Sequence, residues 1–117
     1  MADVSELDSE LNTMIREGKA MEGYEKFYAE NVVMMENDQA FEGKDTNRQR
    51  ELEFFGNVQE VHKFELAASA VSGDTSFCQQ TIDVTFKDGN RMTMEQVAVR
   101  TWKDGQVVRE RFFYKGL

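Results

Sequence analysis

Residues Thr75–Tyr114 read TSFCQQTIDVTFKDGNRMTMEQVAVRTWKDGQVVRERFFY. Two Asp-Gly pairs, Asp88–Gly89 and Asp104–Gly105, interrupt runs in which apolar and polar residues alternate. Alternation with period two marks a strand with one buried face, and Asp-Gly supplies the positive φ that a tight hairpin turn needs. A third turn, Ser72–Gly73–Asp74, precedes them, and the three glycines stand sixteen residues apart. From Val58 onward the chain is therefore predicted to form a four-stranded antiparallel meander. Its strands are about twice the usual five or six residues. Strands that long bend, so a strongly curved sheet is expected.

The turns also predict a register. With two-residue loops at Asp104–Gly105 and Asp88–Gly89, Val99 faces Glu110, Val97 faces Phe112 and Glu95 faces Tyr114. Ile82 then faces Glu95, Gln80 faces Val97 and Cys78 faces Val99. At the first hairpin a two-residue loop places Lys63 and Glu65 beside Ile82 and Val84. A three-residue loop over Ser72–Gly73–Asp74 places His62, Phe64, Leu66 and Ala68 there, and keeps the apolar face continuous. The second choice predicts four inward rows: His62–Val84–Thr93, Phe64–Ile82–Glu95–Tyr114, Leu66–Gln80–Val97–Phe112 and Ala68–Cys78–Val99–Glu110. An apolar face with a few polar groups is what a small-molecule pocket needs. The other face carries Gln96, Arg100, Arg109 and Arg111 with Met92, Met94, Trp102, Val107 and Phe113, and reads as a partner surface.

Upstream, Val4, Leu7, Leu11, Met14 and Ile15 recur at helical spacing, with Ser5 and Asp8 offering a capping-box start and Gly18 an end. Ala20, Met21, Tyr24, Phe27 and Tyr28 repeat the pattern. A short β-type run follows at Val32–Met35, then a third helix over about Asp45–Phe55 with Leu52, Phe54 and Phe55 near its buried side. The prediction is an α+β fold: three N-terminal helices on the concave face of a curved antiparallel sheet, with one short strand between the second and third. A single domain is expected over residues 1–117.

Composition narrows the function. The chain has 117 residues, no proline, and a net charge of −8. Residues 1–42 hold eleven acids and three bases, and the remainder is neutral. An acidic chain without a basic stripe makes a poor nucleic-acid partner, because phosphate contacts supply most of that affinity. It is equally poor against anionic membranes. The acidic N-terminus lacks the apolar core of a secretory signal. One cysteine and one histidine cannot build a His/Cys zinc cluster. GxxxxGK[ST], GxGxxG and GxSxG are all absent, so no metal and no cofactor are expected. A cytoplasmic protein is the expectation.

Three stretches carry a resemblance. They are Phe27-Tyr28-Ala29-Glu30-Asn31-Val32-Val33-Met34, then Phe41-Glu42-Gly43-Lys44-Asp45, and the ending Lys103-Asp104-Gly105-Gln106-Val107-Val108-Arg109-Glu110-Arg111-Phe112-Phe113-Tyr114. In this order and spacing the chain resembles the SnoaL-like branch of the cone-shaped nuclear transport factor 2-like superfamily. That resemblance implies a deep pocket between sheet and helices, and frequent homodimers. The superfamily includes polyketide cyclases, ketosteroid isomerase, limonene-epoxide hydrolase, scytalone dehydratase and non-catalytic binding domains, so fold alone does not decide function. By the same resemblance, Glu36 falls where the isomerases keep a carboxylate base. Their oxyanion positions are held here by Leu11 and by Ala98 or Val99. The hydrolase carboxylate position in the last strand is Phe112, one row from Glu110.

The candidate catalytic residues are Glu36, Glu110 and His62. Glu36 is either a general base against an apolar wall that includes Met35, or a solvated strand-end carboxylate. Glu110 is predicted to point inward, away from its neighbours Arg109 and Arg111. His62 is the only histidine and titrates nearest neutrality. Tyr24, Tyr28, Met35, Phe55, Phe64, Gln80, Glu95, Val97, Val99, Phe112 and Tyr114 are the candidate ligand-binding residues. The expected partner is a small hydrophobic molecule, with a homodimer through the outer sheet face. Two functions remain open: acid–base catalysis of isomerase, cyclase or dehydratase type, and a non-catalytic binding or dimerisation module. The first needs Glu36 and Glu110 in one cavity near His62.

Overall fold

A computed structural model describes residues 3–114. Two helices come first, α1 (Val4–Arg16) and α2 (Ala20–Phe27), followed by a hairpin of β1 (Tyr28–Glu36) and β2 (Gln39–Glu42). Helix α3 (Lys44–Asn57) leads into the long strands β3 (Val58–Ser72), β4 (Thr75–Phe86), β5 (Arg91–Lys103) and β6 (Gln106–Tyr114). The sheet order is β2-β1-β6-β5-β4-β3. All neighbours are antiparallel except β1 and β6, which run parallel. The three helices and the curled α+β sheet follow the expectation. The first strand is nine residues long rather than short, and polar Glu36–Gln39 closes a hairpin onto a sixth strand.

Local chemistry sets the helix ends. Asp3, not Ser5, caps α1: its carboxylate accepts from the Glu6 amide at 2.9 Å. Gly18 follows α1 with φ +79°, and the Lys19 amide returns to the Met14 carbonyl. Helices α1 and α2 pack so closely that a Cβ on Gly23 would lie 2.8 Å from Leu11 Cδ1. Leu11, Tyr24, Phe27, Tyr28, Val32, Met34, Trp102 and Val107 form the core, with Val4, Leu7, Met14 and Phe112 against it.

Single-residue irregularities decide which side chains face that core. The β4–β5 loop has three residues, Lys87–Asp88–Gly89, closed by the Phe86 amide on the Asn90 carbonyl at 2.8 Å. Gly89 takes φ +92°, and the Asn90 amide donates to Asp88 at 3.0 Å. Such a loop adds one residue to the expected two and turns β5 over. Glu95, Val97 and Val99 therefore face outward, while Met94, Gln96, Ala98, Arg100 and Trp102 face inward. Trp102, expected outside, is buried in the core. The β5–β6 turn is two residues as expected, with φ +52° at Asp104 and +79° at Gly105. A bulge at Val108 then shifts the pairing back by one, so Glu110 lies opposite Arg100 and Phe112 opposite Ala98. Two shifts cancel, and β6 presents Glu110 and Phe112 inward as predicted.

Strand β3 uses the same device. Its turn is two residues, Gly73–Asp74, with Ser72 opposite Thr75, not the three-residue loop expected. Bulges in the Val58–Glu60, Val61–Lys63 and Leu66–Ala68 stretches correct the phase, so Phe64 and Leu66 still oppose Ile82 and Gln80. His62 lies in one of these bulges and Ala68 shares the outer side with Gln79, so neither joins the inner rows.

Candidate functional site

A cavity of about 390 Å³ opens between the helices and the concave sheet. Its apolar wall comes from Leu11 and Ile15 of α1, Tyr24 and Tyr28 around α2, Phe54 and Phe55 of α3, and Phe64, Ile82, Met94 and Phe112 of the sheet. The polar groups facing it are Glu36, Arg50, Glu51, Glu53, Asn57, Gln80, Gln96, Arg100 and Glu110. Among the described residues no cluster of three or more His, Cys, Asp or Glu side chains is arranged to hold a metal ion.

The inner end is a fully connected polar network. Glu110 Oε1 accepts from the Tyr28 hydroxyl at 2.7 Å, and Oε2 accepts from Arg100 Nε at 2.8 Å. Arg100 Nη1 donates to Asp8 at 3.0 Å and to Asn12 at 2.8 Å. Ser76 donates to Asp8 at 2.7 Å and takes the Trp102 indole N–H at 3.2 Å. Asp8, Arg100 and Glu110 are each only 2% exposed. Asp8 and Asn12 stand one helical turn apart on the buried stripe of α1, which aims both at Arg100. Charges this deep are tolerated because each is paired and hydrogen-bonded. Burial tends to lower the Arg100 pKa, but the surrounding acids outweigh it and keep the guanidinium charged. Burial, with the Glu110 charge behind it, raises Tyr28 well above the usual tyrosine range, so it is a neutral donor.

Nearer the other end, Arg50 Nη2 donates to Glu36 at 2.6 Å while its guanidinium lies 3.4 Å over the Phe41 ring. The next residue along α3, Glu51, faces the cavity with no hydrogen bond or ion pair among the described residues. Burial, reinforced by the charges of Glu110 and Glu36, pushes its carboxyl up to about 7, against the pull of Arg50. Tyr24 is not a free donor: its hydroxyl is spent on the Lys44 carbonyl at 2.7 Å. Gln96 donates to Gln80 at 2.8 Å, forming a buried amide pair in the sheet wall.

Of the three candidate catalytic residues, Glu36 and Glu110 line this one cavity. His62 does not: it sits on the outer side, 2.7 Å from the Thr85 hydroxyl and 3.2 Å from Glu60. Tyr24, Tyr28, Phe55, Phe64, Gln80 and Phe112 line the cavity as expected. Glu95, Val97 and Val99 point away because β5 is turned over. Met35 alternates outward from buried Met34, and its sulfur lies 3.0 Å from Arg109. Tyr114 is half-buried at the edge, its amide donating to Asn37 at 3.1 Å, and does not reach the cavity. Leu52, expected on the buried side of α3, is 47% exposed. Arg50, Glu51, Gln96 and Arg100 escape the sequence reading. The signal for Arg100 is Asp8 and Asn12, two polar residues at i, i+4 within an otherwise apolar helix stripe.

No functionally curated protein matches this sequence. Solved structures do. A protein from Mesorhizobium loti, provisionally named a SnoaL-like polyketide cyclase [carbohydrate phosphatase], is 28% identical with a TM-score of 0.88; the match covers 97% of this chain and 100% of that one. A second, from Jannaschia sp. CCS1 with the same provisional SnoaL-like polyketide cyclase name, is 16% identical with a TM-score of 0.80, covering 98% and 90%. AclR from Streptomyces galilaeus, provisionally a hydroxylase, is 15% identical with a TM-score of 0.78, covering 98% and 90%. The last two show the shared fold. The family model for the SnoaL-like domain matches residues 3–114. With the helices, the curled sheet and the cavity in the same chain, the protein belongs to the SnoaL-like domain family.

Proposed function

We propose that the cavity binds a small hydrophobic molecule and performs acid–base chemistry on it, of isomerase, cyclase or dehydratase type. The observation that carries this reading is one apolar-walled cavity faced by Glu36, Glu51, Glu53 and Glu110. Its volume is within the roughly 300–1,000 Å³ of small-molecule sites. Two of the acids are committed: Glu36 to Arg50, and Glu110 to Tyr28 and Arg100. Fixed charges of this kind orient a ligand and respond to charge that develops during reaction. The provisional cyclase name of the Mesorhizobium loti relative agrees with this reading.

Two further parts belong to the proposal. The outer sheet face forms a homodimer, supported by exposed Phe77, Val97 and Phe113 on that face, with Val97 directly opposite Phe113. The setting is cytoplasmic, in keeping with a single buried free thiol, Cys78. Among the described residues no helix is long and apolar enough to cross a membrane.

The test of ligand binding is backbone NMR with 2-tetralone, a steroid ketone and a monoterpene ketone. The expected result is saturable shifts clustered at Tyr28, Gln96 and Phe112. Shifts confined to the outer face, or none with any ketone, refute the reading.

A further inference from the structure

The charges of the cavity do not balance within it. Four carboxylates line it, from Glu36, Glu51, Glu53 and Glu110, against two guanidiniums, from Arg50 and Arg100. Both cations are engaged: Arg50 with Glu36 at 2.6 Å, and Arg100 with Glu110 at 2.8 Å and Asp8 at 3.0 Å. Glu53 is exposed and accepts from Gln49 at 3.2 Å. Glu51 is left over. It faces the cavity from α3 with no hydrogen bond or ion pair among the described residues, under the fields of Glu110 and Glu36. Arg50 pulls the other way but is spent on Glu36. A carboxylate withdrawn from water is ordinarily matched by a cation or by donors.

The wall around this acid is largely aromatic. Phe54 and Phe55 come from the same helix, and Phe64 and Phe112 from the sheet. Tyr24 and Tyr28 add two rings with centroids 4.6 Å apart. The Glu51 charge reaches both tyrosines, adding to the burial that raises their hydroxyls. Ring faces pack against a hydrocarbon body and attract a cation.

We propose that the cavity takes an amphiphilic cation: a protonated amine on an apolar ring body, with Glu51 as counter-ion to the ammonium group and the aromatic wall around its carbons. This rests on the reading of the cavity as a small-molecule site, and names the class of molecule. An ammonium group donates to Glu51 in a charge-assisted hydrogen bond. A carboxylate ligand would add a fifth acid to the four, and a neutral ligand would leave Glu51 unmatched.

The same site sets a pH dependence. The groups coupled to Glu51 are Glu36 from β1, Glu110 from β6, Tyr24 from α2, Tyr28 at the start of β1 and Arg50 from its own helix. Burial, with Glu110 and Glu36 behind it, pushes the Glu51 carboxyl up to about 7. An ammonium pairs only with the ionised form, so its binding drives the proton off. At pH 6 such a carboxyl is roughly nine-tenths protonated and at pH 8 roughly one-tenth, while an amine titrating near 10 stays charged at both. Binding at pH 6 should therefore release close to one proton, and affinity should rise about tenfold by pH 8.

Matched probes test the class. The two-ring compounds 2-aminotetralin, 2-tetralone and 2-naphthoate carry positive, zero and negative charge. At pH 8, with amide shifts at Tyr28, Gln96 and Phe112 placing the ligand in the cavity, the amine should bind at least tenfold more tightly than the ketone, and the naphthoate most weakly. Glu51→Gln should lose that tenfold, the low end for a hydrogen bond to a charged group, and keep its ketone affinity. Glu30→Gln, which removes the same charge from an exposed position of β1, should keep the preference. Calorimetry of the wild type at pH 6, in two buffers of different ionisation enthalpy, reads the released proton without any variant. Equal binding of amine and ketone overturns the ligand class and leaves the small-molecule reading standing. A preference that survives Glu51→Gln, one that is lost in Glu30→Gln, or amine binding at pH 6 without proton release overturns the Glu51 role. A wild type that binds neither amine nor ketone overturns both readings.

Discussion

Replacing Glu51 by glutamine gives a stability signature with a definite sign. The carboxyl has its ordinary value of 4.5 in the unfolded chain and about 7 in the folded one. Between those values the folded state holds the proton more tightly, so Glu51 erodes stability as pH rises from 4.5 to 7 and no further beyond about 8. The gap corresponds to about 3 kcal/mol, at roughly 1.4 kcal/mol per pKa unit. The figure is a ceiling, since Glu51 is half-buried and reaches water through the cavity. Glutamine keeps the shape and cannot titrate. Urea unfolding of both proteins at a series of pH values isolates this group, because every other titration is shared. The stability of the variant relative to wild type should climb by about 2–3 kcal/mol between pH 4.5 and pH 8 and then level. A difference that stays flat across the series, or moves the other way, refutes the environment assigned to Glu51.

Arg100→Met removes the cation that pairs with both Asp8 and Glu110. It should cost about 3–5 kcal/mol in urea unfolding at pH 7, the penalty for stranding buried partners of an ion pair. That cost should shrink at low pH, where the stranded acids can be protonated. Gly23→Ala gains roughly 1 kcal/mol of helix propensity but places a methyl 2.8 Å from Leu11 Cδ1 in a 1%-exposed site. Overpacking of about 1–3 kcal/mol should exceed that gain and lower the melting temperature. On the outer face, Val97→Lys puts a charge opposite Phe113 and should convert a dimer to a monomer in light scattering without lowering the melting temperature of the monomer. A wild type that scatters as a monomer removes the dimer proposal.

The strands, their order from Val58 and the three helices were legible because alternation and glycine turns are strong local signals. The faces were only half legible. The hairpins differ from their sequence readings in one-residue steps: one in the loop at Lys87–Gly89, one in a bulge at Val108, and in β3 a turn one residue shorter with three bulges along the strand. One residue is enough to exchange the two faces of a strand. In β5 the apolar pattern itself misleads: Val97 and Val99 look like core, whereas Gln96 and Arg100 are buried. They are buried because Gln80, Glu110, Asp8 and Asn12 wait on other elements, and that complementarity exists only after folding. Glu51 was hidden for a related reason. Within Arg50–Glu51–Leu52–Glu53 it reads as one more charge on a solvated helix, and only Glu110, distant in sequence, makes it unusual.

The parallel pairing of β1 with β6 has a consequence for the order of events during synthesis. The nine elements emerge with β6 last, yet β1 can complete its side of the sheet only against β6. The hydroxyl of Tyr28 and the carboxylate of Glu110 are 82 positions apart. Until the last strand is made, β1 has one unsatisfied edge and the aromatic stripe of α2 has no floor. Contacts this distant in sequence form slowly, and exposed edges meanwhile invite wrong partners. The segment that waits is the one carrying eleven acids against three bases. Self-repulsion between nascent copies would then protect the half-made protein at the stage when it has most to hide.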